Sequence, residues 1–181
     1  MVGETTTDPL IRTKLHRPLV YRNHIQRPHL LERLEKNRQR PLTLVSAPAG
    51  YGKSTLVSEW LDTCDSPSAW LSLDKSDNEL GMFLSYLLAA VEIIFPHAVS
   101  KTMTLVNGLT LPPLTTLAGT LVNELDRIEQ SFILVLDDYH LIKKTPVNNL
   151  ITETLKHPPQ SLYLVIVGRS DPTLPISTLR A

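Results

Sequence analysis

Apolar residues along this chain follow two patterns. Four short runs are mostly apolar and predict strands at 42–45, 69–73, 132–136 and 162–167. The last two runs are continuous, which is typical of strands that are covered on both faces of a parallel sheet. Elsewhere apolar residues recur every three or four positions, which predicts amphipathic helices. Helices are expected from Pro28, after Gly52, over 80–94, over 114–128 and over 145–155.

The alternation of strands and helices predicts the fold class. It implies right-handed βαβ crossovers and a three-layer α/β/α fold with a mostly parallel sheet. Residues 96–112 have weak periodicity and contain Pro96, Gly108 and Pro112, so a loop with about one helical turn is expected there. Residues 1–27 are polar and interrupted by proline, which predicts an arm that lies across a domain surface or is partly disordered.

Length and composition favour one α/β domain with an extension. The chain has 181 residues, of which 42% are hydrophobic, and its formal net charge is zero. The charge is unevenly distributed, because residues 1–40 hold nine basic and four acidic side chains. A basic segment is compatible with docking to nucleic acid. The basic residues of the first predicted helix alternate with Glu32 and Glu35, however, and this pattern favours a solvated helix face instead.

Cysteine content and hydropathy indicate the cellular compartment in which the protein is expected. The single cysteine, Cys64, excludes an internal disulfide framework and is typical of a reducing, cytoplasmic environment. The most apolar segment, 83–95, is too short to span a bilayer and contains Glu92. It is therefore expected to be a buried helix, and no membrane partner is predicted.

The segment after the first predicted strand has the pattern of a phosphate-binding loop. Gly50 and Gly52 permit a turn in which successive backbone N–H groups point at an anion. Lys53 would reach the outer phosphates, and the Ser54 hydroxyl would bind Mg²⁺. Ala47 replaces the first glycine of the pattern, which is acceptable if its φ is negative. The residues predicted to contact the nucleotide here are Ala49, Gly50, Tyr51, Gly52, Lys53, Ser54 and Thr55.

A turn that binds nothing is the alternative interpretation of this segment. It is disfavoured, because such a turn has no need of a lysine followed directly by a hydroxyl residue. The loop also lies between a predicted strand and a predicted helix, which is the context that the motif requires. Residues 41–181 are therefore predicted to form a P-loop nucleotide-binding domain, preceded at 1–40 by an arm and a short helix.

Two adjacent carboxylates follow the third predicted strand. Asp137 and Asp138 stand at the carboxyl end of a buried strand, where open α/β sheets bind ligands. Asp137 would hold Mg²⁺ through water, and Asp138 would orient or deprotonate the water that attacks the terminal phosphate. A solvated pair of aspartates at a turn is the alternative, and the nearby phosphate-binding loop favours the functional interpretation.

Arg169 directly follows the fourth predicted strand. It is a candidate sensor of the terminal phosphate, and an ion pair with Asp171 on a surface turn is the competing interpretation. Tyr139 and His140 are candidates for the rim of the site. Asp74, after the second strand, is a weaker candidate.

Several segments together resemble the MalT-type transcriptional activators, which are STAND-class signal-transduction ATPases that often end in a LuxR-type DNA-binding domain. The resemblance spans nearly the whole chain. It is carried by Lys14-Leu15-x-Arg17-Pro18, Ser46 to Ser54, Trp70 to Asp74 with Asp77-Asn78, Leu136 to His140, Arg169 to Pro172, Leu174-Pro175 and Leu179-Arg180-Ala181.

The resemblance implies a switch in which ADP holds a resting monomer, while ATP and an inducer permit self-association and promoter binding. ATP or ADP with Mg²⁺ would then be the cofactors, and hydrolysis would be slow. By the same resemblance Lys53 and Ser54 bind phosphate and Mg²⁺, Asp137 and Asp138 form the acidic pair, and Arg169 senses phosphate. Arg27 or His29 would lie beside the base.

The resemblance also implies that the sequence is a fragment. A fifth core strand and the DNA-binding domain are expected outside it, so DNA would be bound by a domain that this chain lacks. In related ATPases the fourth strand lies between the phosphate-loop strand and the aspartate-bearing strand. Without the fifth strand, the phosphate-loop strand would be an exposed sheet edge, which invites association between copies.

Three other functions use a phosphate-binding loop of this kind. A small-molecule or nucleotide kinase uses the same loop but needs an acceptor pocket and a basic lid, whereas the segment between the second and third strands has Lys101 as its main cationic group. A GTPase is disfavoured because the chain contains no Asn-Lys-x-Asp sequence. A module that binds nucleotide without hydrolysis stays open.

Overall fold

The computed structural model describes residues 10–20 and 25–175. Within them, four parallel strands form one sheet with the order β1-β4-β3-β2. The strands are β1 (Leu42–Ser46), β2 (Ser68–Ser72), β3 (Phe132–Asp137) and β4 (Leu162–Gly168). The sheet places β4 between the phosphate-loop strand and the aspartate-bearing strand, as predicted. Within the described residues, the outer edge of β1 has no partner strand.

Helices cover both faces of the sheet. They are α1 (Pro28–Lys36), α2 (Lys53–Asp62), α3 (Leu80–Ile94), α4 (Ser100–Val106), α5 (Leu114–Asp126) and α6 (Thr145–Lys156). Three 3₁₀ turns lie at Arg12–Leu15, Lys75–Asn78 and Tyr139–Leu141. None of the described helices is long and apolar enough to cross a bilayer. The predicted α/β/α fold is confirmed.

Alternate residues of the central strands enter two separate hydrophobic cores. Leu134 and Leu164 pack with α3, α5 and α6 on one face, while Val135 and Val165 pack with Trp60 and α2 on the other. Every residue of β3 and β4 is buried as a result. This explains why both strands are continuously apolar in the sequence.

Helix α4 lies in the segment that was predicted to be mainly loop. Its first turn is capped by the buried carboxylate of Glu124, which belongs to α5. One carboxylate oxygen accepts from the Lys101 amide at 2.8 Å, and the other accepts from the Thr102 amide and hydroxyl at 2.9 and 2.6 Å. A carboxylate satisfies the free N–H groups at a helix start. Since this cap comes from another helix, the local sequence gives no sign of it.

The amino-terminal arm, defined as residues 10–20, is anchored to β2, to the turn that follows β2 and to α2. Its 3₁₀ turn packs against β2. The buried Lys14 ammonium contacts Asp77 at 2.6 Å and Asp74 at 3.1 Å, and lies 4.0 Å from the centre of the Tyr86 ring. Further along, the Pro18 carbonyl accepts a hydrogen bond from the Ser58 hydroxyl of α2 at 2.7 Å. Residues 10–20 therefore lie against the domain, whereas residues 1–9 and 21–24 of the predicted arm lie outside the described residues.

Candidate functional site

The loop between β1 and α2 has the backbone geometry of the predicted phosphate-binding loop. Gly50 and Gly52 have φ values of +79° and +69°, a region that side chains other than glycine rarely adopt. An added Cβ at either position would meet no atom within 4 Å, so backbone conformation, and not space, selects glycine here. Ala47 does not have a positive φ, and its amide donates to the Gly168 carbonyl at 3.3 Å. The departure from glycine at Ala47 is therefore accommodated.

Lys53 begins α2 and points back across the loop. Its ammonium group donates to the Pro48 carbonyl oxygen at 2.9 Å, in an exposed position. The same helix start presents free N–H groups and the positive end of the helix dipole to the loop. Three groups therefore lie together at the carboxyl end of β1, as the motif requires. They are the Lys53 side chain, the loop amides and the N-terminus of α2.

Asp137 ends β3 and is buried beside the start of α2. Burial raises the pKa of the Asp137 carboxyl, whereas hydrogen bonds from the Ser54 hydroxyl and the Asp138 amide favour its ionised form. The Asp138 amide lies 2.9 Å from Asp137 Oδ1. The structure thus brings Ser54 and Asp137, which were predicted to share a magnesium ion, into contact across the sheet edge.

These two residues have ligand chemistry suited to a hard cation. A hydroxyl and a carboxylate offer the oxygen ligands that Mg²⁺ prefers, and Mg²⁺ usually completes its shell with water and phosphate. Within residues 10–20 and 25–175, no three His, Cys, Asp or Glu side chains cluster as a metal site. Ser54 and Asp137 therefore have the ligand chemistry that Mg²⁺ prefers.

Asp138 is far more exposed than Asp137. Its φ of +55° is uncommon for a residue other than glycine, and it turns the chain sharply at the end of β3. The Asp138 side chain is 50% exposed, and its Oδ1 lies 3.7 Å from His140 Nδ1. One carboxylate is therefore buried against α2, while the next is directed toward solvent, where a water molecule can approach it.

His140 lies between the carboxyl ends of β3 and β4. Burial lowers the pKa of His140, and the negative charge of Asp138 opposes this effect. The positive charges of Arg169, Lys143 and Lys53 lower the pKa further. Because β1, β3 and β4 are parallel, Lys53 after β1 and Arg169 after β4 lie at the same edge of the sheet as the two aspartates. Arg169 and Asp171 are both exposed, and no ion pair joins them in the described part of the chain.

Tyr139 is not on the rim of the site, and that prediction is wrong. The side chain is 1% exposed and packs in the core, and its hydroxyl donates to Asn148 Oδ1 at 3.0 Å. The 3₁₀ turn after Asp138 directs Tyr139 inward. Asp74 also has a structural position, since it caps the 3₁₀ turn Lys75–Asn78 and contacts Lys14.

Arg27 connects the start of α1 to the phosphate-binding loop. Its guanidinium donates to the Tyr51 carbonyl oxygen at 2.6 Å. The neighbouring His29 is exposed on the first turn of α1. A groove of about 910 Å³ extends from this contact along the open edge of β1. Its charged lining residues are Arg27, Arg33, Arg40, Lys53 and Asp171, so the groove is mainly cationic.

Comparison with curated proteins identifies relatives over most of the chain. Identity is 37% over 171 residues with the HTH-type transcriptional regulator MalT of Yersinia pestis (strain Pestoides F), and 39% with that of Serratia proteamaculans (strain 568). The matches cover 94% of this chain but 19% of each relative, so the chain spans only a minor part of the regulators' length. The predicted resemblance to MalT-type regulators is confirmed.

Comparison with solved structures agrees on the fold. The crystal structure of Cdc6p from Pyrobaculum aerophilum matches with a TM-score of 0.59 and 18% identity, covering 94% of this chain and 47% of that one. At this identity the likeness concerns the fold alone. No protein-family model matches the chain. The sheet order, the loop geometry and this likeness together identify an α/β fold of the P-loop NTPase type. The tail motif Leu179-Arg180-Ala181 lies outside the described residues.

Proposed function

We propose that this chain is the nucleotide-binding switch domain of a MalT-like transcriptional regulator, which binds ATP or ADP with Mg²⁺ and hydrolyses ATP slowly. The observation that carries the proposal is the convergence of Lys53, Ser54 and Asp137 on one glycine loop. Each side chain has the chemistry of one part of a nucleotide–magnesium complex. Lys53 has a positive charge for phosphate, and Ser54 and Asp137 have oxygen ligands for the cation.

When a nucleotide binds, Lys53 would exchange one hydrogen-bond acceptor for another. In the described structure, Lys53 donates to the Pro48 carbonyl, which is a neutral acceptor. A phosphate oxygen is a stronger acceptor because it is charged, so Lys53 would move from Pro48 to the nucleotide. The N–H groups of the loop, with Gly50 and Gly52 in the left-handed region, would surround the same phosphates.

Ser54 and Asp137 would hold Mg²⁺, which neutralises charge on the phosphates when it is bound. Asp137 must be ionised for this role, and its burial works against ionisation. The Ser54 hydroxyl and the Asp138 amide offset part of that cost by hydrogen bonding. A cation at this position would favour the ionised carboxylate further.

Asp138 and Arg169 would act on the terminal phosphate. Asp138 would orient the attacking water, and Arg169 would stabilise charge on the phosphate or report its presence. Arg169 is exposed and the Asp138 side chain is half exposed, and within the described residues no hydrogen bond joins the Asp138 carboxylate to a neighbour. Because rate depends strongly on alignment, the hydrolysis rate would depend on how firmly Asp138 is held.

The regulatory part of the proposal rests on similarity to the MalT proteins. Since the chain corresponds to a minor part of those regulators, self-association and contact with DNA would involve the whole regulator. DNA contact would belong to a domain outside this chain, and adenine nucleotide is the partner assigned to the chain itself. A cytoplasmic location follows from this role.

The test is a calorimetric titration of the chain with ATP, ADP and GTP, each with and without Mg²⁺. Adenine nucleotides should bind, and Mg²⁺ should strengthen binding of ATP. Phosphate release is then measured on the wild type and on Asp138→Asn. Loss of release with retained binding supports a hydrolytic switch, whereas equal release by both proteins contradicts the role of Asp138. Absence of any nucleotide binding would overturn the proposed function.

A further inference from the structure

His140 carries an unsatisfied polar atom in the described structure. Nδ1 of its imidazole is buried and is the one buried side-chain nitrogen or oxygen in residues 10–20 and 25–175 without a hydrogen-bond partner. Leaving such a group unpaired costs about 1–3 kcal/mol, so buried polar atoms are rarely left alone in folded proteins. The position of this atom therefore requires an explanation.

The nearest acidic group to that nitrogen is the side chain proposed to orient water. Asp138 Oδ1 lies 3.7 Å from His140 Nδ1, which is slightly longer than a hydrogen bond. The histidine side chain is 13% exposed, whereas the Asp138 side chain is 50% exposed. Asp138 is thus the less enclosed of the two, and a rotation of its side chain would close the gap.

His140 and Asp138 lie in one short turn that is held against the end of β4. The Leu141 amide donates to the Asp138 carbonyl at 3.0 Å and closes the turn. The turn lies close to β4, since a Cβ added to Gly168 would lie 3.6 Å from the His140 amide nitrogen and 3.8 Å from its Cβ. The backbone thus keeps the side chains of His140 and Asp138 close together.

We propose that His140 is a positioning residue, whose Nδ1–H donates a hydrogen bond to the Asp138 carboxylate and holds it toward the attacking water. This inference rests on the proposed function, because it assigns a purpose to the orientation of Asp138. The ring acts as a neutral donor: its burial and the positive charges of Arg169, Lys143 and Lys53 disfavour the imidazolium form. Without the imidazole, the exposed Asp138 side chain would rotate freely in solvent.

A measurement that needs no nucleotide tests the contact itself. In ¹⁵N-labelled protein at neutral pH, the two ring nitrogens of His140 are distinguished by NMR, with His140→Gln used to assign the signals. We expect the proton on Nδ1 in the wild type and a shift toward Nε2 in Asp138→Ala. A wild-type ring with a bare Nδ1, or a tautomer that is indifferent to Asp138→Ala, would overturn the inference.

A pair of substitutions tests the functional consequence. The amide nitrogen of asparagine can occupy the position of Nδ1, whereas that of glutamine reaches the position of Nε2. His140→Asn should therefore retain most of the ATP hydrolysis rate, while His140→Gln should lose about tenfold in kcat with KM unchanged. Equal losses in the two variants would show that His140 has only a packing role.

The two proposals fail in distinguishable ways. If the wild type binds no nucleotide, the proposed function fails, while the NMR experiment still decides whether Nδ1 donates to Asp138. If the wild type hydrolyses ATP and the asparagine variant is no better than the glutamine variant, only the inference about His140 fails. Thermal unfolding of each variant checks that the fold is retained.

Discussion

The side-chain ammonium group of Lys53 donates a hydrogen bond to the carbonyl oxygen of Pro48, at 2.9 Å, across the loop that joins β1 to α2. This contact keeps the cation over the cradle of loop amides before any ligand is present. The carbonyl is exposed and can return to water at little cost, so the lysine is available to a phosphate.

Replacing Lys53 with alanine should abolish tight nucleotide binding without unfolding the chain. A hydrogen bond to a charged group contributes about 1.5–3 kcal/mol, so affinity for ATP should fall roughly 10- to 100-fold. The measurement is the calorimetric titration with ATP and ADP. Lys156→Ala is the matched control, because it removes an exposed lysine at the end of α6, and its affinity should equal that of the wild type. An unchanged affinity in Lys53→Ala would contradict the assignment of the loop.

Replacing Asp137 with asparagine should stabilise the nucleotide-free protein while removing the effect of Mg²⁺ on ATP binding. Burial raises the pKa of the wild-type carboxyl, so its ionised form is costly in the folded protein, and asparagine avoids that cost. Each kcal/mol gained should raise Tm by about 2–4 °C in a domain of this size. Differential scanning calorimetry and titrations with and without Mg²⁺ measure the two effects. A lowered Tm would show that Asp137 is held mainly by its hydrogen bonds.

The stability difference between Asp137→Asn and the wild type should depend on pH. Because the folded-state pKa of Asp137 is raised, the folded protein binds its proton more tightly than the unfolded chain does. The wild type therefore loses stability as pH rises from the ordinary aspartate pKa through the higher folded-state value. The advantage of the variant should be complete above that window and should shrink as pH falls into it, as measured by urea unfolding at several pH values. A difference that does not change with pH would contradict the raised pKa.

The thiol of Cys64 should react slowly with iodoacetamide. Burial, together with the negative charge of Glu35, raises the pKa of Cys64 to about 11, so little thiolate is present at neutral pH. Glu35→Gln should increase the alkylation rate, since it removes the repelling charge. The single cysteine makes mass spectrometry of the alkylated chain unambiguous, and the urea-unfolded protein is the reference for full reactivity. Equal rates in folded and unfolded protein would contradict this prediction.

Removal of the Lys14 ammonium group should destabilise the chain by about 3–5 kcal/mol, because it leaves the fully buried carboxylate of Asp77 without a cation. Lys14→Met is the appropriate change, since it keeps the aliphatic stem. The double variant Lys14→Met/Asp77→Asn should recover part of the loss, because the uncompensated charge is gone. Urea unfolding of both single variants and the double variant gives the coupling energy. Additive losses would show that the two residues act independently.

The parts of this fold that the sequence predicts are those whose determinants are local. Strands β3 and β4 are recognisable because both faces are covered, and the phosphate-binding loop is recognisable because its functional groups are consecutive. The cap on α4 was not predictable, because Glu124 is 22 residues from Thr102 in the chain. The Lys14 contact with Asp77 spans 63 residues and was likewise invisible in the sequence.

The candidate site likewise has features that the local sequence predicts and features that it does not. Lys53 and Ser54 could be assigned from the loop motif, and Asp137 and Asp138 from their place after a buried strand. The sequence did not reveal which way each side chain points after β3. The positive φ of Asp138 decides that, since it sends Tyr139 into the core and leaves His140 beside Asp138. The φ of Asp138 therefore decides that Tyr139 lies in the core while His140 lies beside the site.

Within the described residues, β1 and β2 are the outer strands of the sheet, and each pairs with a neighbouring strand on one side only. The 3₁₀ turn of the amino-terminal arm packs against β2, whereas the cationic groove lies along β1. Unpaired backbone N–H and C=O groups on an outer strand can receive a further strand. Because β1 leads directly into the phosphate-binding loop, a strand added there would form a wall of this groove.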